Sequence, residues 1–178
     1  RSEFFRNYQS AFAAGTGLPL DFVPADETLR LPYAGHENES DFCRLLREGT
    51  GKWWETANVI VITEAHLNGG VVTTTSIGGM LESAIPIFNG KVTVGYLRLG
   101  QARQSLPTKA GFKQAVARLS EKRGLYDMTR LKKAYFEVTV MPLHRYVGIV
   151  DLVNVFARQL EGQTNRSDSN RVYRTAAD

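Results

Sequence analysis

The sequence contains very little cysteine and no long apolar run. Cys43 is the single cysteine among 178 residues, which excludes a disulfide bond within the chain. No stretch approaches the roughly 18–20 consecutive apolar residues that cross a bilayer, and no signal peptide is visible. Together these absences predict a reducing, cytoplasmic setting and no membrane partner. The chain begins at Arg1 rather than at methionine, so we expect it to be a fragment of a longer protein.

Residues that commonly carry chemistry are also sparse. The three histidines, His36, His66 and His144, are far apart and have no cysteine or carboxylate at metal-ligand spacing. No phosphate-binding loop, Gly-x-Ser-x-Gly motif or His-Glu-x-x-His motif occurs. Cys43 falls on a predicted amphipathic helix, where a small buried apolar role is commoner than that of a nucleophile. The sequence therefore predicts a protein that is not an enzyme and that holds no metal and no cofactor.

Composition indicates one folded domain followed by a polar segment. The apolar content is 43%, which is enough for a sizeable core. The net charge of +4 is scattered along the chain, which indicates a solvated surface rather than a nucleic-acid patch. From Gly162 onward the composition shifts to polar residues. We expect a domain over residues 1–161 and a linker or disordered tail over residues 162–178.

The clearest local pattern is a β-hairpin over residues 80–101, with Asn89-Gly90 as its predicted turn. Period-2 alternation gives each arm two faces. In the first arm these are Leu81, Ser83, Ile85 and Ile87 against Glu82, Ala84 and Phe88. In the second arm they are Val92, Val94, Tyr96 and Arg98 against Thr93, Leu97 and Leu99. Gly95 and Gly100 predict bulges or a close approach to the backbone, and Pro86 predicts an edge or a bulge.

Helices and shorter strands surround this hairpin. Apolar spacing and capping residues predict helices over residues 2–14, 41–48, 52–66, 108–122, 128–136 and 143–161. Strands are predicted over residues 18–23 and 71–75, and the β-branched run 59–62 would suit a strand as well as a helix. The apolar stripe of the last helix is wider than one contact needs. It predicts either burial between the sheet and another helix or pairing with a second subunit.

The central hairpin carries the polar candidates for binding. Glu82, Arg98 and Gln101 could point into a pocket between the sheet and its helices, although Glu82 and Arg98 could equally form an ion pair at the surface. Aromatic residues could line the same pocket or belong to the core. They are Phe42, Trp53, Trp54, Tyr96 and Tyr135.

Several phrases, in this order, resemble the PocR sensory domain. They are Phe42-Cys-Arg-Leu-Leu46, Gly79-Met-Leu-Glu-Ser-Ala-Ile-Pro-Ile87, Gly95-Tyr-Leu-Arg-Leu-Gly-Gln101, Leu131-Lys-Lys-Ala-Tyr-Phe136, Val140-Met-Pro142 and the stretch 149–160. The resemblance covers about residues 4–161. It implies an α+β, PAS-like fold with a central antiparallel sheet flanked by helices. It also implies a cytoplasmic sensor of a small organic molecule in a bacterial AraC-class transcription regulator, whose missing C-terminal part binds DNA.

The sequence departs from the family pattern in its cysteines. Many family members carry four, and the first is kept here as Cys43. The others fall at about Trp54, Ala57 and Ser76. One thiolate cannot hold a soft metal ion. We therefore expect metal or redox sensing of that kind to be absent.

These observations lead to one main hypothesis and one alternative. In the first, a ligand binds between the hairpin and the helices at 41–66, and the helix at 143–161 carries the signal. The expected ligand-binding residues are Phe42, Cys43, Trp54, Glu82, Tyr96, Arg98, Gln101 and Tyr135. In the alternative, the domain has lost its ligand and serves only to form a homodimer. We also expect a homodimer under the main hypothesis.

Overall fold

The computed structural model describes residues 3–25, 39–50, 52–120 and 125–175, and the side chains at 50, 52–59, 120 and 162–175 lie outside that description. Within these ranges the chain forms six helices and four strands. In chain order they are α1 (Glu3–Thr16), β1 (Leu20–Pro24), α2 (Asp41–Thr50), α3 (Lys52–Asn68), β2 (Val72–Thr75), β3 (Met80–Asn89), β4 (Val92–Arg103), α4 (Lys109–Ser120), α5 (Met128–Glu137) and α6 (Leu143–Thr175).

The four strands form one antiparallel sheet in the order β1-β4-β3-β2. The predicted hairpin supplies its two central strands. The turn, however, lies one residue further along than predicted, because Asn89 pairs with Val92 and leaves Gly90 and Lys91 between them. Gly90 has a φ of 62°. A glycine with positive φ at the first central position matches the right-handed twist of a hairpin, which explains this choice of turn.

One face of the sheet packs against α1 and α6. The core on this side contains Leu81, Ile85, Ile87, Leu97 and Leu99 from the hairpin and Tyr146, Val150 and Val153 from α6. The predicted faces are therefore confirmed for residues 81–88 and 96–99. For Val92 and Thr93 the prediction was wrong, because an extra residue at 94 reverses the alternation: Thr93 pairs with Phe88 and lies on the Tyr96 face. The hydroxyl of Tyr146 lies 2.9 Å from Ser83 Oγ and donates to the Leu99 carbonyl at 3.4 Å. These contacts attach α6 to both central strands.

The opposite face of the sheet packs against α2 and α3. Ala84 and Tyr96 contact α3 in one cluster, which also contains Val61, Ile62 and Ala65. A second cluster joins Phe42 of α2 and Met80 of β3 to α4 and α5. The sheet is thus covered by helices on both faces, and its charged residues on the α2 and α3 side are shielded from water.

Strand β4 contains two bulges, each next to one of the glycines that interrupt its sequence. Ile87 pairs with Gly95 and Phe88 with Thr93, so one residue, at 94, is extra. Glu82 pairs with Gly100 and Leu81 with Ala102, which makes Gln101 the second extra residue. Gln101 has a φ of 67°, the one positive φ of a non-glycine residue in the described part of the chain. A bulge of this kind re-aims its side chain.

The predicted helices all occur, including α3 over the ambiguous run 59–62. The chain therefore has the α+β, PAS-like fold that the resemblance implies, with helices flanking an antiparallel sheet. The last helix continues past residue 161 to Thr175, into the polar segment, whose role as a linker stays a prediction. No helix in the ranges given above is both long and apolar enough to cross a membrane.

Candidate ligand-binding site

A row of buried charged side chains crosses the sheet on the face that α2 and α3 cover. Asp21 of β1 stands opposite Arg98 of β4, and Arg98 in turn stands opposite Ala84 of β3. Glu82 lies two residues along β3 on the same face. These three charged residues are only 5%, 6% and 4% exposed for Asp21, Glu82 and Arg98. We call Asp21, Glu82 and Arg98 the charged row. Burial of this kind makes their pairing and hydrogen bonding energetically important.

The residues around Glu82 determine the pKa of its carboxyl group. Its side chain lies across Gly100, where a Cβ atom would stand 3.1 Å from Glu82 Cγ. Burial raises the pKa of Glu82, while the Arg98 charge and the Ser76 hydroxyl oppose that rise. Ser76 Oγ is itself buried and makes no hydrogen bond of ordinary geometry with the residues that the structure describes. The pKa of Glu82 therefore depends on the balance between its burial and the opposing effects of Arg98 and Ser76.

Gln101 connects the charged row to the start of α2. Its Oε1 accepts a hydrogen bond from Ser40 N at 2.7 Å, and Ser40 Oγ accepts one from Cys43 N at 3.3 Å. Cys43 is fully buried, and its sulfur lies 3.7 Å from that of Met80. Burial raises the pKa of the Cys43 thiol well above its ordinary value, and the Glu82 charge adds to the effect. The thiol of Cys43 is thus packed in the core, and Gln101 fixes the start of α2.

Two of the predicted aromatic residues pack together at the next cluster. Phe42 and Tyr135 meet edge to face with 5.4 Å between ring centroids. The guanidinium carbon of Arg103 lies 3.8 Å from the Tyr135 centroid and 5.9 Å from that of Phe42. This pair therefore forms a wall beside Arg103, a residue that the sequence did not single out.

Tyr96 belongs to the cluster under α3. Its hydroxyl lies 2.8 Å from His66 Nδ1, and burial raises its pKa. The side chain of Trp54 lies outside the described residues, so its expected role as a wall stays a prediction. Of the eight expected residues, Glu82 and Arg98 act on the pKa of Cys43, and Arg98 acts on that of Glu82. Gln101 follows Gly100, the strand partner of Glu82. Phe42 and Tyr135 stand together elsewhere.

Three buried charges escaped the sequence analysis. Asp21 lies on β1, where a short polar strand gave no sign of burial. Arg103 follows the predicted end of the hairpin. Glu39 precedes α2, and its side chain is 3% exposed. Its Oε2 lies 3.0 Å from Arg47 Nη2, whereas its Oε1 is buried without a hydrogen bond to any described residue. Nothing in its polar loop signals this burial.

The family model described as the sensory domain found in PocR matches residues 1–164, which is nearly the whole chain. The chain belongs to the PocR sensory domain family. No curated protein and no solved structure matches it.

In this PocR sensory domain, the structure describes the side chains at two of the four positions where the resemblance implies cysteines. Cys43 keeps its thiol in a packed environment, and Ser76 carries a hydroxyl beside Glu82. Positions 54 and 57 lie outside the described side chains. In the portion of the chain that the structure describes, no three His, Cys, Asp or Glu residues are grouped so that they could hold a metal ion.

We expect Glu82→Gln to change the pH dependence of stability. Because burial raises the pKa of Glu82 in the folded state, its proton stabilises the fold below the ordinary value of 4.5. That stabilisation is lost as the pH rises through the folded-state pKa, and each tenfold difference in proton affinity between the folded and unfolded states corresponds to about 1.4 kcal/mol. Urea unfolding measured from below pH 4.5 upward should therefore show that wild type loses stability relative to Glu82→Gln as the pH rises. The exposed Glu64→Gln is the control. Parallel profiles for wild type and Glu82→Gln would contradict the expectation.

Proposed function

We propose that this domain is the ligand-sensing part of a bacterial AraC-class transcription regulator. A small organic molecule would bind between the hairpin and the α2 and α3 helices, and a C-terminal part outside this chain would bind DNA. The proposal places the protein in the cytoplasm. The observation that carries it is the charged row, because a sensory domain needs buried polar groups to select a ligand.

The charged row suits recognition of a ligand with polar groups. Arg98 offers a planar guanidinium, which forms paired hydrogen bonds to carboxyl or hydroxyl oxygens. Glu82 supplies an acceptor when ionised and a donor when protonated, and burial favours the protonated form. The surrounding residues are apolar, with Ala84 and Tyr96 on one side and Cys43 on the other. Such a mixture is typical of sites for small organic molecules.

Helix α6 is the proposed route for the signal. It packs on the reverse face of the strands that carry the charged row. Tyr146 contacts Ser83, the neighbour of Glu82, and Leu99, the neighbour of Arg98. Further along α6, Glu161 Oε1 accepts a hydrogen bond from Phe88 N at 3.0 Å. A ligand that favours one arrangement of β3 and β4 would thereby favour one position of α6.

We also propose that the domain is not an enzyme. Its one thiol is buried, with a raised pKa, and so lacks the exposed thiolate that a nucleophile needs. Glu82 and Arg98 lie on one face of the sheet and interact electrostatically, which suits binding, whereas proton transfer would also require a reacting group within hydrogen-bond reach.

Thermal-shift screening against sugars, diols and small acids tests this proposal. Binding to the folded state alone adds about 2.7 kcal/mol of stability at a hundredfold excess over Kd. For the compound with the largest shift, Arg98→Ala should weaken binding by about 10- to 100-fold, the effect of losing a charged hydrogen bond. Calorimetry measures that affinity, and the exposed Arg130→Ala is the control. An unchanged affinity for Arg98→Ala would remove the residue from the site.

Dimerisation without a ligand is the second candidate function. The observation in its favour is a set of exposed apolar side chains on α6, namely Leu143, Val147, Leu152 and Val155. Sedimentation of the purified chain distinguishes the two. A stable dimer together with a flat ligand screen would favour this alternative, and a clear ligand would favour the sensor.

A further inference from the structure

A cleft lies beyond the Gln101 bulge, between the β2–β3 turn, the end of β4 and α4. It has a volume of about 500 Å³. Two arginines line it, Arg103 from β4 and Arg118 from α4, and none of the described residues around it is acidic. Leu106, Pro107 and Tyr135 contribute apolar surface. The cleft is therefore a basic depression with apolar walls. It adjoins the charged row at Ser76, whose hydroxyl lies beside Glu82.

Arg103 is the unusual residue in this cleft. It is 5% exposed, and its Nε and Nη2 atoms are buried without a hydrogen-bond partner in the described part of the chain. The Tyr135 ring stacks against its guanidinium at 3.8 Å, which stabilises the charge but accepts no hydrogen bond in the guanidinium plane. A buried cation without acceptors is costly. The described residues thus supply no anionic partner for these two nitrogen atoms of Arg103.

The surroundings keep the space beside Arg103 open. Gly78 and Gly79 turn there with φ values of 82° and 76°. A Cβ atom at Gly78 would stand 3.2 Å from Arg103 Nη2 and 2.8 Å from the Phe42 ring. The turn can therefore pass the Phe42 ring and the guanidinium only without a side chain at residue 78. Ser105, Thr108 and Gln114 add neutral polar groups to the lining.

We propose that this cleft binds a small oxyanion, the carboxylate or phosphate group of a metabolite, through the guanidinium of Arg103. The planar fork of an arginine fits both groups, because each presents paired oxygens. Arg118 is exposed at the rim and adds attraction without burial. The inference does not depend on the proposed ligand of the charged row, since it rests on different side chains.

The test measures melting temperatures of the whole 178-residue chain in sodium phosphate, acetate and succinate, each against sodium chloride at equal ionic strength. A bound oxyanion should raise the melting temperature by roughly 5–10 °C at a hundredfold excess over Kd. Arg103→Met should abolish the rise. The backbone hydrogen bonds of residue 103 to Thr139 and Met141 do not involve its side chain, so the variant should still fold. In chloride it should melt no lower than wild type, because a buried unpaired charge is gone. Arg130→Met should keep the rise.

A second variant supplies the negative charge from within the cleft itself. Gln114→Glu places a carboxylate in the cleft, and it should raise the melting temperature in chloride while removing the response to added oxyanions. A phosphate-only response would identify a phosphate ligand, and an acetate or succinate response a carboxylate. No rise with any oxyanion, or an equal rise in Arg103→Met, would overturn the proposal. If Arg103→Met failed to fold, a full response in Gln114→Glu would overturn it as well.

Discussion

Phe42→Ala is expected to lower the free energy of unfolding by about 3–5 kcal/mol, the usual cost of removing a buried phenylalanine ring. Phe42 is 0% exposed, and its ring packs from α2 against Tyr135 and Arg103. Its removal would leave a cavity that α2 cannot fill by shifting, because Gln101 and Ser40 hold the start of that helix. Urea unfolding followed by tryptophan fluorescence measures the change.

Phe136→Ala is the matched control for this variant. Phe136 meets the same Tyr135 ring at the same 5.4 Å and at 76°, against 78° for Phe42. It is, however, 38% exposed. An aromatic contact adds about 0.5–1.5 kcal/mol beyond burial, so Phe136→Ala should cost far less than Phe42→Ala. Equal losses would show that the ring contact, rather than burial and the cavity, determines stability here.

Gly100→Ala is expected to destabilise the fold by about 1–3 kcal/mol, as overpacking does. A Cβ atom there would stand 2.6 Å from the Leu81 carbonyl oxygen and 2.9 Å from Glu82 Cα. Both are backbone atoms of the paired strand, so relief would require β3 and β4 to separate. The bulge at Gln101 and the position of Glu82 should shift with them. Thermal unfolding measures the loss, and hydrogen exchange of β3 amides would locate it.

Gly148→Ala should have the opposite sign. Gly148 is exposed on α6, and a Cβ atom there would meet nothing within 4 Å. Alanine in a helix is favoured over glycine by about 0.5–1 kcal/mol, so this variant should be more stable than wild type. Two substitutions of the same kind thus separate crowding from backbone freedom. A loss of stability in both would point to a general effect of the added methyl group.

The sequence predicted the faces of the first arm and of residues 96–99 correctly because alternation is a local property. Leu97 and Leu99 face α6, and Glu82 and Arg98 lie on the other side, as their spacing indicated. Pro86 lies beyond the end of β2, whose pairing with β3 stops at Ala84, so it does occupy an unpaired edge. Local rules could not place the turn, since the bulge at residue 94 shifts the pairing and moves the turn to Gly90 and Lys91.

The site was less predictable because burial of charges is a tertiary property. Sequence spacing put Glu82 and Arg98 on one face but left open whether water reaches them, which depends on α2 and α3. Arg103 needed the extra residue in β4 to be known first, because the Gln101 bulge sets the direction of every side chain after it. Glu39 belongs to no periodic element, so no pattern could have indicated its pairing with Arg47.

The buried thiol of Cys43 makes this domain convenient for site-specific labelling. It is the only cysteine in the 178 residues, and its raised pKa and full burial protect it from thiol reagents. A cysteine introduced at Leu152, which is exposed on α6, would therefore be the one group to carry a fluorophore or a spin label. With a second label at the Gly90 turn, the distance between α6 and the hairpin tip could be followed in solution without first removing the native thiol.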